Sequence, residues 1–94
     1  MKKIIELDDR AWEYTLYEVD DSEWIVSFAY SPKSYVDASL TIRLTEEEKK
    51  KAQQDSEFLS KLSKRLRNKY KDYYPRALDF NISVEYIKLT SNEQ

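Results

Sequence analysis

The chain has 94 residues and a formal net charge of −2, with 40% hydrophobic and 36% charged positions. This length and composition predict a single domain over residues 1–94, with residues 90–94 as a frayed tail, and they exclude a wholly disordered chain. The absence of Cys, His and Gly excludes disulfides, thiolate and imidazole catalysis, most zinc sites and glycine-rich phosphate-binding loops.

Apolar and polar residues alternate with a period of two through the first half of the chain. The alternation predicts strands at residues 12–19, 24–30 and 36–44, and a short additional strand is possible near residues 2–7. Asp20-Asp21-Ser22 predicts a turn between the first two of these strands, because Asp tolerates turn geometry and hydrogen-bonds its own backbone.

The period changes at Thr45, which begins the sequence Thr-Glu-Glu-Glu of a capping box. Three acids in the first turn suit the positive end of a helix dipole, so we predict that a helix starts at Glu46. An apolar stripe continues that helix over Phe58, Leu59, Leu62, Leu66, Tyr70 and Tyr73. Asp55 leaves open a kink or a split into two helices, and Pro75 ends the helical segment.

A period of two returns over Phe80, Ile82, Val84 and Tyr86 and predicts a last strand at residues 80–86. The element order is then (β)βββ-α-β. The predicted fold class is α+β, a two-layer structure with an antiparallel sheet of four to five strands and one long helix, straight or kinked, on one face.

The acidic residues lack the spacing of known catalytic or metal sites. Asp79, Glu85 and Lys88 depart from the restriction-endonuclease pattern, because a strand would point Glu85 and Lys88 to opposite faces. We therefore expect no catalytic, cofactor-binding or metal-binding residues and no enzymatic activity. The early apolar stretch is too short for a signal peptide or a membrane span, so we expect a cytoplasmic protein without membrane contact.

Charge is distributed unevenly along the chain. Residues 1–48 carry twelve acids and five bases, whereas residues 49–76 carry ten bases and three acids. Tyr17 and Tyr35 fall on polar positions of the alternation and are expected to be partly exposed. Acids around exposed rings suit a basic protein partner, although solubilising charge explains the acids equally well. The predicted partner-binding residues are Glu13, Tyr17, Glu18, Asp20, Asp21, Glu23, Tyr35 and Asp37.

A basic stretch at residues 61–76 is the competing binding surface. The many cations in this stretch could neutralise several phosphates of a nucleic acid. They are also typical of a solvent-exposed helix face, where cations near the C-terminus interact favourably with the negative end of the helix dipole. The cations considered are Lys61, Lys64, Arg65, Arg67, Lys69, Lys71 and Arg76.

The whole-chain pattern resembles the immunity proteins that protect bacteria from their own contact-dependent or polymorphic toxins. It combines a small acidic domain, Tyr- and Trp-rich strands, and the sequence DASLTIRLTEEE at residues 37–48 leading into the helix. The resemblance implies an inhibitor that binds one cognate toxin, commonly a nuclease with a basic cleft, through acidic residues. The alternatives are a nucleic-acid-binding regulator using residues 61–76, a phage-type inhibitor that mimics nucleic acid, and a small subunit of a larger assembly. The oligomeric state is left open.

Overall fold

The computed structural model describes residues 3–33 and 36–91 and contains a four-stranded antiparallel sheet. Each strand pairs with its neighbour in the sequence. The strands are β1 (Ile4–Arg10), β2 (Tyr14–Val19), β3 (Glu23–Lys33) and β4 (Val36–Arg43). The three strands predicted from alternation are confirmed, and the additional first strand lies at the edge of the sheet beside β2.

The turn between β2 and β3 is built from the predicted Asp pair. Asp20 and Asp21 have φ angles of 52° and 64°, and the Ser22 amide donates to the Val19 carbonyl at 3.2 Å. Positive φ at both central positions is the conformation that matches the twist of a hairpin. Asp tolerates this region better than most residues, which explains how the turn forms without Gly.

The structure describes four helices where the sequence predicted one long helix and a final strand. A 3-10 turn at Tyr74–Arg76 follows the third helix. The helices are α1 (Glu46–Gln54), α2 (Phe58–Asn68), α3 (Tyr70–Tyr73) and α4 (Ile82–Ser91). The fold is therefore α+β as predicted, but the prediction of a single long helix is wrong.

Local hydrogen bonds explain where α1 begins and ends. The Glu48 amide donates to the Thr45 hydroxyl at 3.1 Å and the Thr45 amide donates to the Glu48 carboxylate at 2.9 Å, which confirms the predicted capping box and the start at Glu46. After α1, the Asp55 carboxylate accepts from the Glu57 amide at 2.9 Å. Because the Glu57 amide bonds to this side chain and not to a helical carbonyl, the helical segment is interrupted between α1 and α2.

The segment predicted as a last strand at residues 80–86 forms the start of α4 instead. The Asn81 side chain accepts from the amides of Ser83 and Val84 at 2.9 and 3.4 Å, which caps the helix. Ile82, Tyr86 and Leu89 are spaced as i, i+4 and i+7 on one face of a helix, while Ile82 and Tyr86 also fit the period of two that predicted the strand. The strand prediction is wrong because this short segment satisfies both periods.

The helices cover both faces of the sheet, so the fold has three layers and not the predicted two. On one face, α2 supplies Leu59, Leu62 and Leu66 to the larger core cluster. On the other face, Ile82 of α4 is fully buried in a second cluster. The sheet residues of the larger cluster are Tyr14, Leu16, Val26, Phe28, Leu40 and Ile42, and those of the second are Tyr17, Val19 and Ile25.

The chain passes from one face to the other around the edge of β4. Ala77 forms a bridge with Ile42, and the Leu78 amide donates to the Thr41 carbonyl at 2.8 Å.

Just before this passage, the Arg76 guanidinium contacts both carboxylate oxygens of Glu48 at 2.6 and 3.0 Å. Burial acts to raise the pKa of Glu48, but the hydrogen bonds from Arg76 and Thr45 outweigh it and lower the pKa below its usual value.

We expect Leu66→Ala to lower the free energy of unfolding by about 2–4 kcal/mol, because it opens a cavity in the core. Leu66 has no exposed surface, whereas Val84 on α4 is 44% exposed. Val84→Ala is the matched control and should change the free energy by about 0.5 kcal/mol or less. Equal losses for the two variants in chemical denaturation would show that α2 is not seated on the sheet.

We expect the Glu48–Arg76 pair to make stability depend on pH. The pKa of Glu48 is about 4.3 in the unfolded chain and lower in the folded chain. Ionised Glu48 therefore adds to the free energy of unfolding above about pH 4.3, and this stabilisation is lost as the pH falls through the folded-state pKa. Glu48→Gln should flatten the loss of stability between about pH 5 and pH 3 in urea denaturation. Glu47→Gln, at an exposed neighbour, is the control. An unchanged acid limb in Glu48→Gln contradicts this account.

Candidate functional site

Tyr17 is buried, so the prediction that it is partly exposed is wrong. It is 4% exposed, its hydroxyl is hydrogen-bonded to that of Ser83 at 3.0 Å, and its ring centroid lies 5.2 Å from that of Tyr86. Burial raises the pKa of Tyr17 above its usual value. The cause is α4, which covers the face of the sheet that the two-layer prediction expected to be exposed to solvent. Tyr35, the other predicted aromatic anchor, lies outside the described residues.

Four of the predicted acids lie at the end of the sheet that carries the β2–β3 turn; two of them form ion pairs within the fold and the other two accept hydrogen bonds from neutral groups. Asp21 pairs with Lys3 at 2.9 Å and Glu23 with Arg43 at 3.4 Å. The Glu18 carboxylate accepts from the Trp24 indole at 3.2 Å. Asp20 accepts from the Lys3 backbone amide at 3.0 Å. That these acids bind a partner stays a prediction.

Glu13 and Asp37 lie at the opposite end of the sheet. Glu13 belongs to the β1–β2 turn, and Asp37 is an exposed residue of β4 whose carboxylate accepts from the Ser31 hydroxyl at 3.4 Å. The six residues of β2 separate the two ends by about 20 Å. The predicted acids therefore do not form one continuous surface.

Trp12 is the residue at this end that the sequence analysis missed. It has a φ angle of 69° in the β1–β2 turn, and 81% of its surface is exposed. A bulky residue in the left-handed region costs about 1–3 kcal/mol, and such strain is concentrated at functional sites. The sequence carried no signal for it, because alternation assigned Trp12 to the start of a strand.

Trp12 opens onto a shallow cavity of about 270 Å³ between the turn, β3, β4 and α2. The Tyr30 ring packs on Tyr70 with centroids 5.1 Å apart, and its hydroxyl lies 3.5 Å from that of Tyr74. The Tyr74 hydrogen bond and burial raise the pKa of Tyr30 to about 12, so Tyr30 is neutral at pH 7. The lining residues are Trp12, Ala29, Tyr30, Ser31, Asp37, Ala38 and Arg67.

The basic stretch divides into two groups. Arg76 pairs with Glu48, and Lys61 lies 3.6 Å from Asp55, so both have partners in the fold. The remaining cations are exposed and, within residues 3–33 and 36–91, make no ion pair. They are Lys64, Arg65, Arg67, Lys69 and Lys71.

The Trp12 cavity and two further depressions lie next to one another, because they share lining residues, and we call the three together the furrow. Arg67 lines both the Trp12 cavity and a depression of about 250 Å³, and Asn68 lines both that depression and a further one. We call Lys64, Arg67, Asn68, Lys69 and Lys71, which line these depressions, the basic track. The arrangement offers one aromatic surface followed by four positive charges and an amide, with the carboxylate of Asp72 at the far end of the third depression.

The site contains groups for binding and for hydrogen bonding. Among the residues that the structure describes, no group of three acids is placed to hold a metal ion. No described helix is long and apolar enough to cross a membrane. The side chains of the cavity and the track thus provide stacking, charge and hydrogen bonds to a partner.

The chain was compared with protein-family models, with curated proteins and with solved structures. None of the three comparisons found a match.

Proposed function

We propose that this protein is a non-enzymatic nucleic-acid-binding protein that contacts phosphates through the basic track. The observation that carries this proposal is the concentration at residues 64–71 of five cations that make no ion pair with any described residue. Elsewhere in the described chain, Lys3, Arg43 and Arg76 have acidic partners within the fold, and cations without one, such as Lys33 and Lys50, lie apart from this concentration in the sequence. Charges left unpaired on a furrow are available to an external anion.

The side chains of the track suit phosphate chemistry. Arg67 presents a planar set of donors that matches two phosphate oxygens, and Lys64 and Lys71 act as compact charges. Asn68 adds an amide donor between them. Neutralising phosphates releases condensed counterions, which supplies affinity without sequence recognition.

The acids at the β2–β3 end of the sheet contribute little to the potential at the basic track. Asp20, Asp21 and Glu23 lie about 20 Å from the Trp12 end, whereas exposed charges are screened beyond about 8 Å at physiological ionic strength. The acids therefore act on a bound polyanion weakly.

A second candidate is an inhibitor of the immunity-protein type that docks on a protein toxin at the Trp12 cavity. It is favoured by the presence of Trp12, Tyr30 and Arg67 around one cavity, because Trp, Tyr and Arg are the residue types that dominate binding energy at protein interfaces. Of the acids predicted to face a basic toxin, Asp37 lines this cavity and Glu13 lies in the adjoining turn.

We expect Lys64→Gln, Lys69→Gln and Lys71→Gln together to weaken binding of a fluorescein-labelled oligonucleotide at least about tenfold at 0.1 M salt, a loss of about 1.4 kcal/mol. The slope of log K against log salt should fall by about 2, since each lost phosphate contact on a single strand contributes about 0.7. Fluorescence anisotropy with single-stranded and duplex probes of one mixed sequence measures both quantities.

The control variant carries Lys50→Gln, Lys51→Gln and Lys88→Gln, which remove the same charge from α1 and α4. This variant should bind the probes within about twofold of the unchanged protein. No binding of either probe by the unchanged protein, or equal losses for the two triple variants, overturns the proposed function. Retained binding of a basic toxin by the track variant would favour the acidic residues as the interface.

A further inference from the structure

We infer that the site selects single-stranded nucleic acid by stacking one unpaired base on Trp12. This inference rests on the proposed function, and it assigns separate chemistry to the two parts of the furrow. The cavity contains the Trp12 indole and the Asp37 carboxylate, which attracts amino groups of a base and repels a phosphate, and Arg67 lines its boundary with the basic track. The basic track contains the positive charges that phosphates need.

Contacts on both sides of the β1–β2 turn hold Trp12 in place. Before it, the Arg10 guanidinium donates to the Ser60 hydroxyl at 2.9 Å and to the Ser56 carbonyl at 3.3 Å. After it, the Glu13 carbonyl accepts from the Ala29 amide at 3.0 Å and from the Ser63 hydroxyl at 3.3 Å.

The turn is thus tied to α2 and β3 while the indole between these contacts remains exposed. The turn is already ordered in the free protein, so stacking of a base on Trp12 does not carry the entropic cost of ordering it. The strained backbone at Trp12 is maintained by these flanking contacts and not by packing of its side chain.

The size of the cavity fits one planar group. At about 270 Å³ it lies at the lower limit of ordinary ligand pockets, which begin at about 300 Å³. Within α2 the track extends about 6 Å from Lys64 to Asn68, taking the helical rise of about 1.5 Å per residue, and Lys69 and Lys71 continue it beyond the end of α2. The site therefore contacts a short stretch of strand, with one base in the cavity and the adjoining phosphates on the track.

Stacking on Trp12 distinguishes a single strand from a duplex. In a duplex the faces of the bases are covered by their neighbours, and exposing one base costs a few kcal/mol. In a single strand the face is available, and stacking on an aromatic side chain contributes about 1–3 kcal/mol per base. Phosphate contacts alone lack this preference, because both forms present phosphates.

The test uses the two Trp residues of the chain as separate reporters. Trp24 is half-buried, with Lys49 lying 5.6 Å from its ring, so Trp24→Phe leaves the exposed Trp12 as the sole Trp. Titration of this variant with a single-stranded octanucleotide should quench its fluorescence, and the same sequence in a duplex should leave the fluorescence nearly unchanged. Thermal melting followed by circular dichroism verifies that each variant is folded.

The decisive variants are Trp12→Leu and Trp12→Tyr, which place other side chains on the same strained backbone. Trp12→Leu should weaken binding of the single strand at least about tenfold, or 1.4 kcal/mol, and binding of the duplex by less than about twofold. Trp12→Tyr should recover part of the single-strand affinity, since it restores an aromatic face. A merely structural role for Trp12 would instead lower affinity for both probes equally.

Four outcomes overturn the inference, and one of them also removes the proposed function. Equal binding of single strand and duplex, or no effect of Trp12→Leu, overturns base stacking and leaves phosphate binding by the track intact. Binding of polyglutamate as tightly as the octanucleotide, with the same loss in Trp12→Leu, overturns it in favour of an acidic protein partner. Absence of binding to both nucleic acids overturns the proposed function together with the inference.

Discussion

Burial of both faces of β2 and β3 is the constraint on which the rest of the structure depends. Leu16 and Val26 point to one face and Tyr17 and Ile25 to the other, and all four are nearly inaccessible to water. A sheet that is apolar on two faces needs a layer on each. The first three helices provide one layer, and the passage around β4 delivers α4 to the second.

Covering both faces confines the accessible parts of the sheet to its ends and edges. At the β2–β3 end, Lys3 and Arg43 already compensate Asp21 and Glu23. At the other end, α2 is held against the β1–β2 turn by two buried serines, Ser60 and Ser63, whose hydroxyls bond to the turn. Small side chains allow the helix to approach closely, so Arg67, about one turn after Ser63, comes to line the cavity that Trp12 also lines. The candidate site is thus a consequence of how α2 packs.

Several features could be predicted from local sequence because local interactions determine them. Alternation predicted the strands, and the Thr45–Glu48 box predicted the start of α1. The Asp20-Asp21 turn was predicted from side-chain chemistry that acts within a few residues. The segment at 80–86 was different, since Ile82 and Tyr86 fit a strand as well as a helix, and the choice depended on the Asn81 cap and on an apolar face 40 residues or more earlier in the chain.

The sequence by itself determined the α+β class, the antiparallel strands, the separation of acidic and basic segments and the absence of His, Cys and Gly chemistry. Tertiary structure alone decided that Tyr17 is buried and that Trp12 is exposed on strained backbone. It also decided that, among the described residues, Arg76 and Lys61 have acidic partners whereas the cations at residues 64–71 have none. The physical reason is that period and capping act between residues close in sequence. Exposure and charge pairing depend on which distant element covers a given face.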